Sequence, residues 1–122
     1  MVGSTSAVAV AEAVHKVMLA EAVARYGLDH RGLAHRLQQR SELIAGLTEH
    51  RKVVTLVRAL NLHVEAVTLD LVGRAAHLST QHWLLTNDAL ILAVMEKLGL
   101  THLATNDGNF DSVPGITVWK PR

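Results

Sequence analysis

Asp107 and Asp111 stand four residues apart in the segment ATNDGNFD, residues 104–111, directly behind the apolar run LGLTHL. Asn, Asp and Gly bend a chain, so a turn is one reading of this stretch. The other is a carboxylate presented at the end of a strand to bind a metal ion. Two further acids bear on that choice. Asp88 opens the helix expected to lead into the strand, and Glu12 lies in the first half of the expected amino-terminal helix. Three carboxylates brought to one edge repel each other unless a divalent cation neutralises them. The chain has no cysteine, and oxygen ligands favour magnesium or manganese. Such a cation lowers the pKa of bound water and stabilises charge on a phosphodiester in transition. Each acid also has a plainer role when taken singly. Asp88 suits the positive end of a helix, Asp107 a turn and Glu12 a solvated helix face. Only their joint order favours the metal. The eight histidines show no paired-ligand pattern beyond His30 and His35, five apart, and are expected at or near the surface.

The 122 residues are expected to form one domain, 1–122, around a single modest core. Aromatic residues are only 3%, so Leu, Val, Ala and Ile must build that core. No apolar run reaches the ~18 residues needed to span a bilayer. The amino terminus carries no basic leader and has Glu12 early, unlike a signal peptide. Without cysteine there are no disulfides, and a cytoplasmic protein is expected. Net charge is +1 but unevenly spread: residues 25–58 hold seven Lys or Arg against three acids, and residues 61–122 hold four against six. A basic segment beside an acidic one suits a polyanion held near a metal, and more commonly reflects an ordinary solvated helix face.

The elements that must position these acids follow from periodicity and end signals. Residues 8–26 are expected to form a helix stopped by Gly27, with a strand end before it in VGSTS. Asp29 is expected to cap a second helix through about Ala45, and a third to run from Thr48 to Leu60, stopping at Asn61. Residues 62–67 (LHVEAV) look like a strand entering a helix capped by Thr68 and ending near Ser79. Thr86 or Asn87 is expected to cap the next helix and Gly99 to end it. Strands are expected at 100–104 and 115–119. Strands separated by helices imply an α/β fold with a small parallel β-sheet flanked by helices. Ligands in such sheets bind beyond the carboxyl ends of the strands, where residues 104–111 would lie.

The segments SAVAVAE (6–12), LTNDALILAVMEKLG (85–99) and THLATNDGNFDSVPGITVWKP (101–121) resemble the PIN domain family, which includes the VapC-type toxins. The resemblance covers the carboxyl-terminal half well and the amino-terminal helix fairly, while the basic helices match in general character. It implies a metal-dependent endoribonuclease that hydrolyses RNA at an acidic Mg2+ or Mn2+ cluster. By position, Glu12, Asp88 and Asp107 match the family's catalytic and metal-binding acids, with Asp111 a nearby metal contributor. Ser6 and Thr105 match small hydroxyl positions near that site. Arg31, Arg36 and Arg40 on the basic helices would hold the RNA backbone. An RNA substrate, an antitoxin protein and a second copy of the chain are the expected partners, with no membrane. The family's first strand, and the aspartate that ends it, have no counterpart here, so a PIN-like fold truncated at its amino terminus is expected. An inactive PIN-like remnant that binds RNA or protein is the alternative.

Overall fold

The computed structural model describes residues 3–121. The chain divides into two compact units, residues 1–64 and 65–122.

The first unit begins with a short strand, β1 (Ser4–Ser6), which runs straight into α1 (Ala7–Tyr26). Ser6, buried at 3% exposure, turns the chain into the helix by accepting a hydrogen bond from the Ala9 N–H at 3.2 Å. At the other end Gly27 adopts φ 65°, a conformation that lets its N–H bond back to the Val23 carbonyl. That left-handed residue is the ordinary glycine stop of a helix. The expected second helix is instead two short ones, α2 (Leu33–Gln38) and α3 (Ser41–Ala45). Asp29 does not cap α2. Its carboxylate accepts the Arg31 N–H at 3.0 Å, closing a local turn, and Gly32 at φ 60° precedes the helix. An Asp side chain that finds a donor two residues on holds its own turn and delays the helix.

The helix expected as the third, α4 (His50–Ala59), packs on α1 and is shorter than the expected span. Its amino terminus is capped from a distance. Glu21 of α1 accepts the backbone N–H groups of Thr48 at 2.9 Å and Glu49 at 3.0 Å, which the local sequence leaves without a side-chain cap. The core of this unit is Ala22, Leu33, Leu37 and Leu47, with Met18, Leu19, Val23, Leu43 and Ile44 around them. Tyr26 donates its hydroxyl to the Leu43 carbonyl at 2.9 Å, and glycine at position 46 leaves room for it: a Cβ there would sit 2.5 Å from the Tyr26 oxygen and force the ring or the backbone to shift. The strand β2 (His63–Glu65) pairs with β1, the His63 N–H reaching the Gly3 carbonyl at 3.0 Å.

The second unit holds α5 (Leu69–His82), α6 (Thr86–Leu98), β3 (His102–Ala104) and β4 (Thr117–Trp119). Thr68 caps α5 as expected, accepting the Leu71 N–H at 3.3 Å. The helix runs three residues past Ser79 and ends on Trp83 at φ 57°. α5 packs along α6, and Arg74 clamps Glu96 across them with bonds of 2.7 and 2.8 Å. α6 is apolar on most of its circumference, with Ala89, Leu90, Leu92, Ala93, Val94 and Met95 all buried. Such a helix can only be an interior one. Gly99 at φ 68° ends it, as expected. β3 and β4 are parallel, with Ala104 opposite Trp119. The chain is thus the expected α/β arrangement of short strands flanked by helices, its described strands forming two two-stranded sheets, β1–β2 and β3–β4.

Two stability predictions follow from the first unit. Leu47→Ala empties a site that is 2% exposed, and should cost about 3 kcal/mol in urea unfolding. Glu21→Ala tests the remote cap. The Glu49 and Thr48 N–H groups hold the Glu21 carboxyl below its ordinary 4.5, against a smaller opposing effect of burial. A carboxylate with a lowered folded pKa contributes stability above the unfolded value and loses it as pH falls through the folded one. The variant should therefore melt a few degrees lower than the parent at neutral pH, and the gap should close below pH 4.5. A gap that persists in acid would mean the carboxylate charge is not what secures α4.

Candidate active site

Parallel strands need a long return connection. Between β3 and β4 that connection is residues 105–116, and it carries the acidic segment. The loop is organised by its own polar side chains. The Asp107 N–H donates to Thr105 Oγ1 at 3.1 Å, and the Asn109 N–H donates to Asp107 Oδ1 at 2.9 Å, starting a single 3₁₀ turn over Gly108–Phe110. Phe110, the chain's one phenylalanine, is 1% exposed. It anchors a loop whose other residues, Asp107 and Asn109 among them, lie largely at the surface. The turn reading and the presented-carboxylate reading of this segment therefore describe the same residues. Asp107 uses Oδ1 to close the turn and has Oδ2 directed elsewhere.

That second oxygen is linked to Asp88 through Asn109. Asn109 Nδ2 donates to Asp88 Oδ2 at 3.0 Å and to Asp107 Oδ2 at 3.2 Å. Both partners are acceptors, so the amide must present its nitrogen here. Asp88 is half-buried in the first turn of α6, whose N-cap is Leu85, with no side-chain cap. Thr86 and Asn87, expected to cap, lie inside the helix instead, because the chain is already extended at Leu85 (φ −73°, ψ 167°). The negative charge of Asp88 lies where the helix dipole favours it.

The remaining predicted residues fall as follows. Asp111 bonds Lys120 Nζ through Oδ1 at 2.9 Å, and the same ammonium reaches the Asp107 carbonyl at 3.4 Å. Glu12 lies half-buried on α1, in the first unit. Thr105 acts within the loop, and Ser6 caps α1. Arg31, Arg36 and Arg40 are exposed on the segment around α2. The Arg36 guanidinium donates to the Asp29 carbonyl, and Arg40 pairs with Glu42 at 3.1 Å. Among the described residues no group of three or more His, Cys, Asp or Glu side chains is arranged to hold a metal ion. Reasoning from sequence missed Asn109 and Lys120. Asn109 was legible only as a turn former, and nothing local marked Lys120 as the partner of Asp111.

The donor set that does gather, two carboxylates sharing one amide, suits magnesium or manganese, which are held by one or two carboxylates with water and phosphate completing the shell. Among comparisons with known proteins, the family model of the PIN domain matches residues 3–116. No curated protein and no solved structure matches the chain. PIN domains generally use divalent metals. Among the described residues no helix is long and apolar enough to cross a membrane.

Asn109→Asp offers a direct test of this arrangement. It replaces the shared donor with a third carboxylate, so without metal the protein should melt lower than the parent. Added Mn2+ should then raise its melting temperature more than the parent's, with affinity increased on the order of tenfold by the extra charge. Identical metal responses in the two proteins would show that Asp88 and Asp107 do not face a common ion.

Proposed function

The chain belongs to the PIN domain family, and we propose that it is a metal-dependent endoribonuclease of the VapC toxin class. The single observation that supports this reading best is the Asn109 amide held between Asp88 and Asp107, which joins the start of α6 to the loop after β3. Membership of the family points to nuclease activity. The toxin class and RNA as substrate are our own extension of it.

In this reading Asp88 and Asp107 are the carboxylates that would hold Mg2+ or Mn2+, with Asp111 a contributor at the edge. When bound, the cation supplies an acidified water and positive charge for the phosphoryl oxygens. The protein's own part is to orient. Thr105 and Asn109 fix the Asp107 carboxylate by engaging its backbone N–H and its Oδ1. Asn109 keeps the Asp88 and Asp107 oxygens facing one another until a cation competes for them. Lys120 holds Asp111 back against the loop and adds a cation at the rim. Arg31, Arg36 and Arg40 would bind the RNA backbone, Arg40 at the expense of its pair with Glu42. An antitoxin protein and a second copy of the chain are the partners this class implies, acting in the cytoplasm.

The second reading is a PIN-like module that binds RNA or protein without cutting it, the Asn109 amide serving as the lasting partner of Asp88 and Asp107 in place of a cation. Cleavage of a single-stranded RNA with Mg2+ separates the two. The parent should cut, EDTA should stop it, and Asp107→Asn and Asp88→Asn should each lose at least ~100-fold. Equal activity in the parent and Asp107→Asn would end the nuclease reading, and no activity in any of them would favour the binding module.

A further inference from the structure

Both tryptophans of this chain are exposed, Trp83 at 88% and Trp119 at 59%. A residue of this size is usually well buried, and the two are differently placed. Trp83 caps the end of α5. Trp119 ends β4, and its ring is held. Its Nε1 donates to His102 Nδ1 at 2.9 Å, and the indole stacks beside the imidazole with centroids 6.0 Å apart and planes 20° from parallel. His102 belongs to β3, so the pair spans the two parallel strands on the face that also carries Ala104 and Thr117.

The location matters more than the exposure. Trp119 lies in register with Ala104, and its carbonyl accepts the Thr105 N–H at 2.9 Å. Thr105 in turn receives the Asp107 N–H. The next residue, Lys120, bonds both the Asp107 carbonyl and Asp111. An aromatic ring of fixed orientation, an ammonium and the acidic pair are thus linked at the carboxyl edge of one two-stranded sheet.

We propose that Trp119, supported by His102, is the platform on which an unpaired base of single-stranded RNA stacks as its phosphodiester lies over Asp88 and Asp107. This rests on the nuclease reading above and deepens it by naming the side chain that would grip the substrate. Every base has a π-face, so an indole platform binds RNA with little sequence preference. A base paired within a helix cannot offer that face, which selects unpaired strands. The hydrogen bond to His102 already orders the indole, so little side-chain freedom remains to be lost on binding.

Fluorescence gives the test. In Trp83→Phe the indole of Trp119 is the sole tryptophan. In EDTA, to prevent cutting, a short single-stranded RNA should quench its emission by about half or more, and the same sequence as a blunt duplex should leave it nearly unchanged. Trp119→Leu should bind the single strand on the order of tenfold more weakly. Trp119→Phe keeps a ring but loses the donor to His102, and should recover most of that loss. The full-length variants are compared at matched melting behaviour, and if Trp119→Leu does not fold the quenching and Trp119→Phe still decide. Equal quenching by duplex, or unchanged binding by Trp119→Leu, overturns the proposal. So does a blue shift of Trp119 with rising protein concentration in the absence of RNA, since another protein surface would then cover the ring. Cleavage without quenching would sink the platform and leave the nuclease standing. Quenching without cleavage in Mg2+ would do the reverse.

Discussion

Two carboxylates accept hydrogen bonds from one nitrogen, and the rest of the candidate site is arranged to make that tolerable. Asp88 Oδ2 and Asp107 Oδ2 lie no more than about 6 Å apart through Asn109 Nδ2. Like charges at that separation repel by roughly 1 kcal/mol in water, and more where protein shields them. A hydrogen bond to a charged group is worth about 1.5–3 kcal/mol, so two from one amide can offset the repulsion. The arrangement holds only while the amide stays in place. Phe110, buried beside it, and the Asp107 cap on the Asn109 N–H prevent the loop from drifting. A buried α6 does the same for Asp88. The result is an acidic pair kept together by a neutral donor.

Topology explains why this pair and Trp119 share an edge. Parallel pairing of β3 and β4 brings both strand ends to one side, so the residues just beyond them, Thr105 to Asp107 and Lys120, become neighbours. An antiparallel hairpin would have sent Trp119 and Lys120 to the opposite end. The connection contains only one 3₁₀ turn, and its polar side chains do the work that a helix would do in a longer crossover.

The first unit shows a related economy. The entry to α4 has no side-chain cap of its own, and a glutamate from α1 satisfies its backbone donors. That bond ties two helices together where a local cap would have secured one. The same carboxylate is also 3.4 Å from Arg25, whose guanidinium reaches on to the Gly46 carbonyl. The junction between α3 and α4 is therefore held from α1.

Much of this was legible in the residues, for local reasons. Gly27 and Gly99 mark helix ends because a left-handed residue is cheap only without a Cβ, and both are in that conformation. Thr68 before an amphipathic run signals a cap, and it is one. The strand-then-acid order around Asp107 placed the acid correctly at the end of β3. Asp29 misled because the same side chain can start a helix or close a turn, and its near neighbour Arg31 decided for the turn. Trp83 was invisible as a helix end, since a left-handed tryptophan has no compositional signature. Short-range chemistry thus determined which segments are helices, where most of them stop and which acids stand at strand or helix ends. Only the tertiary structure decided that Asn109 would lie between Asp88 and Asp107, that Lys120 would hold Asp111, that Glu21 would cap α4 and that His102 would steady Trp119. Apart from the local contact of Asn109 with Asp107, those bonds join residues 9 to 28 positions apart, and no local pattern encodes a partner that arrives only when the backbone has folded.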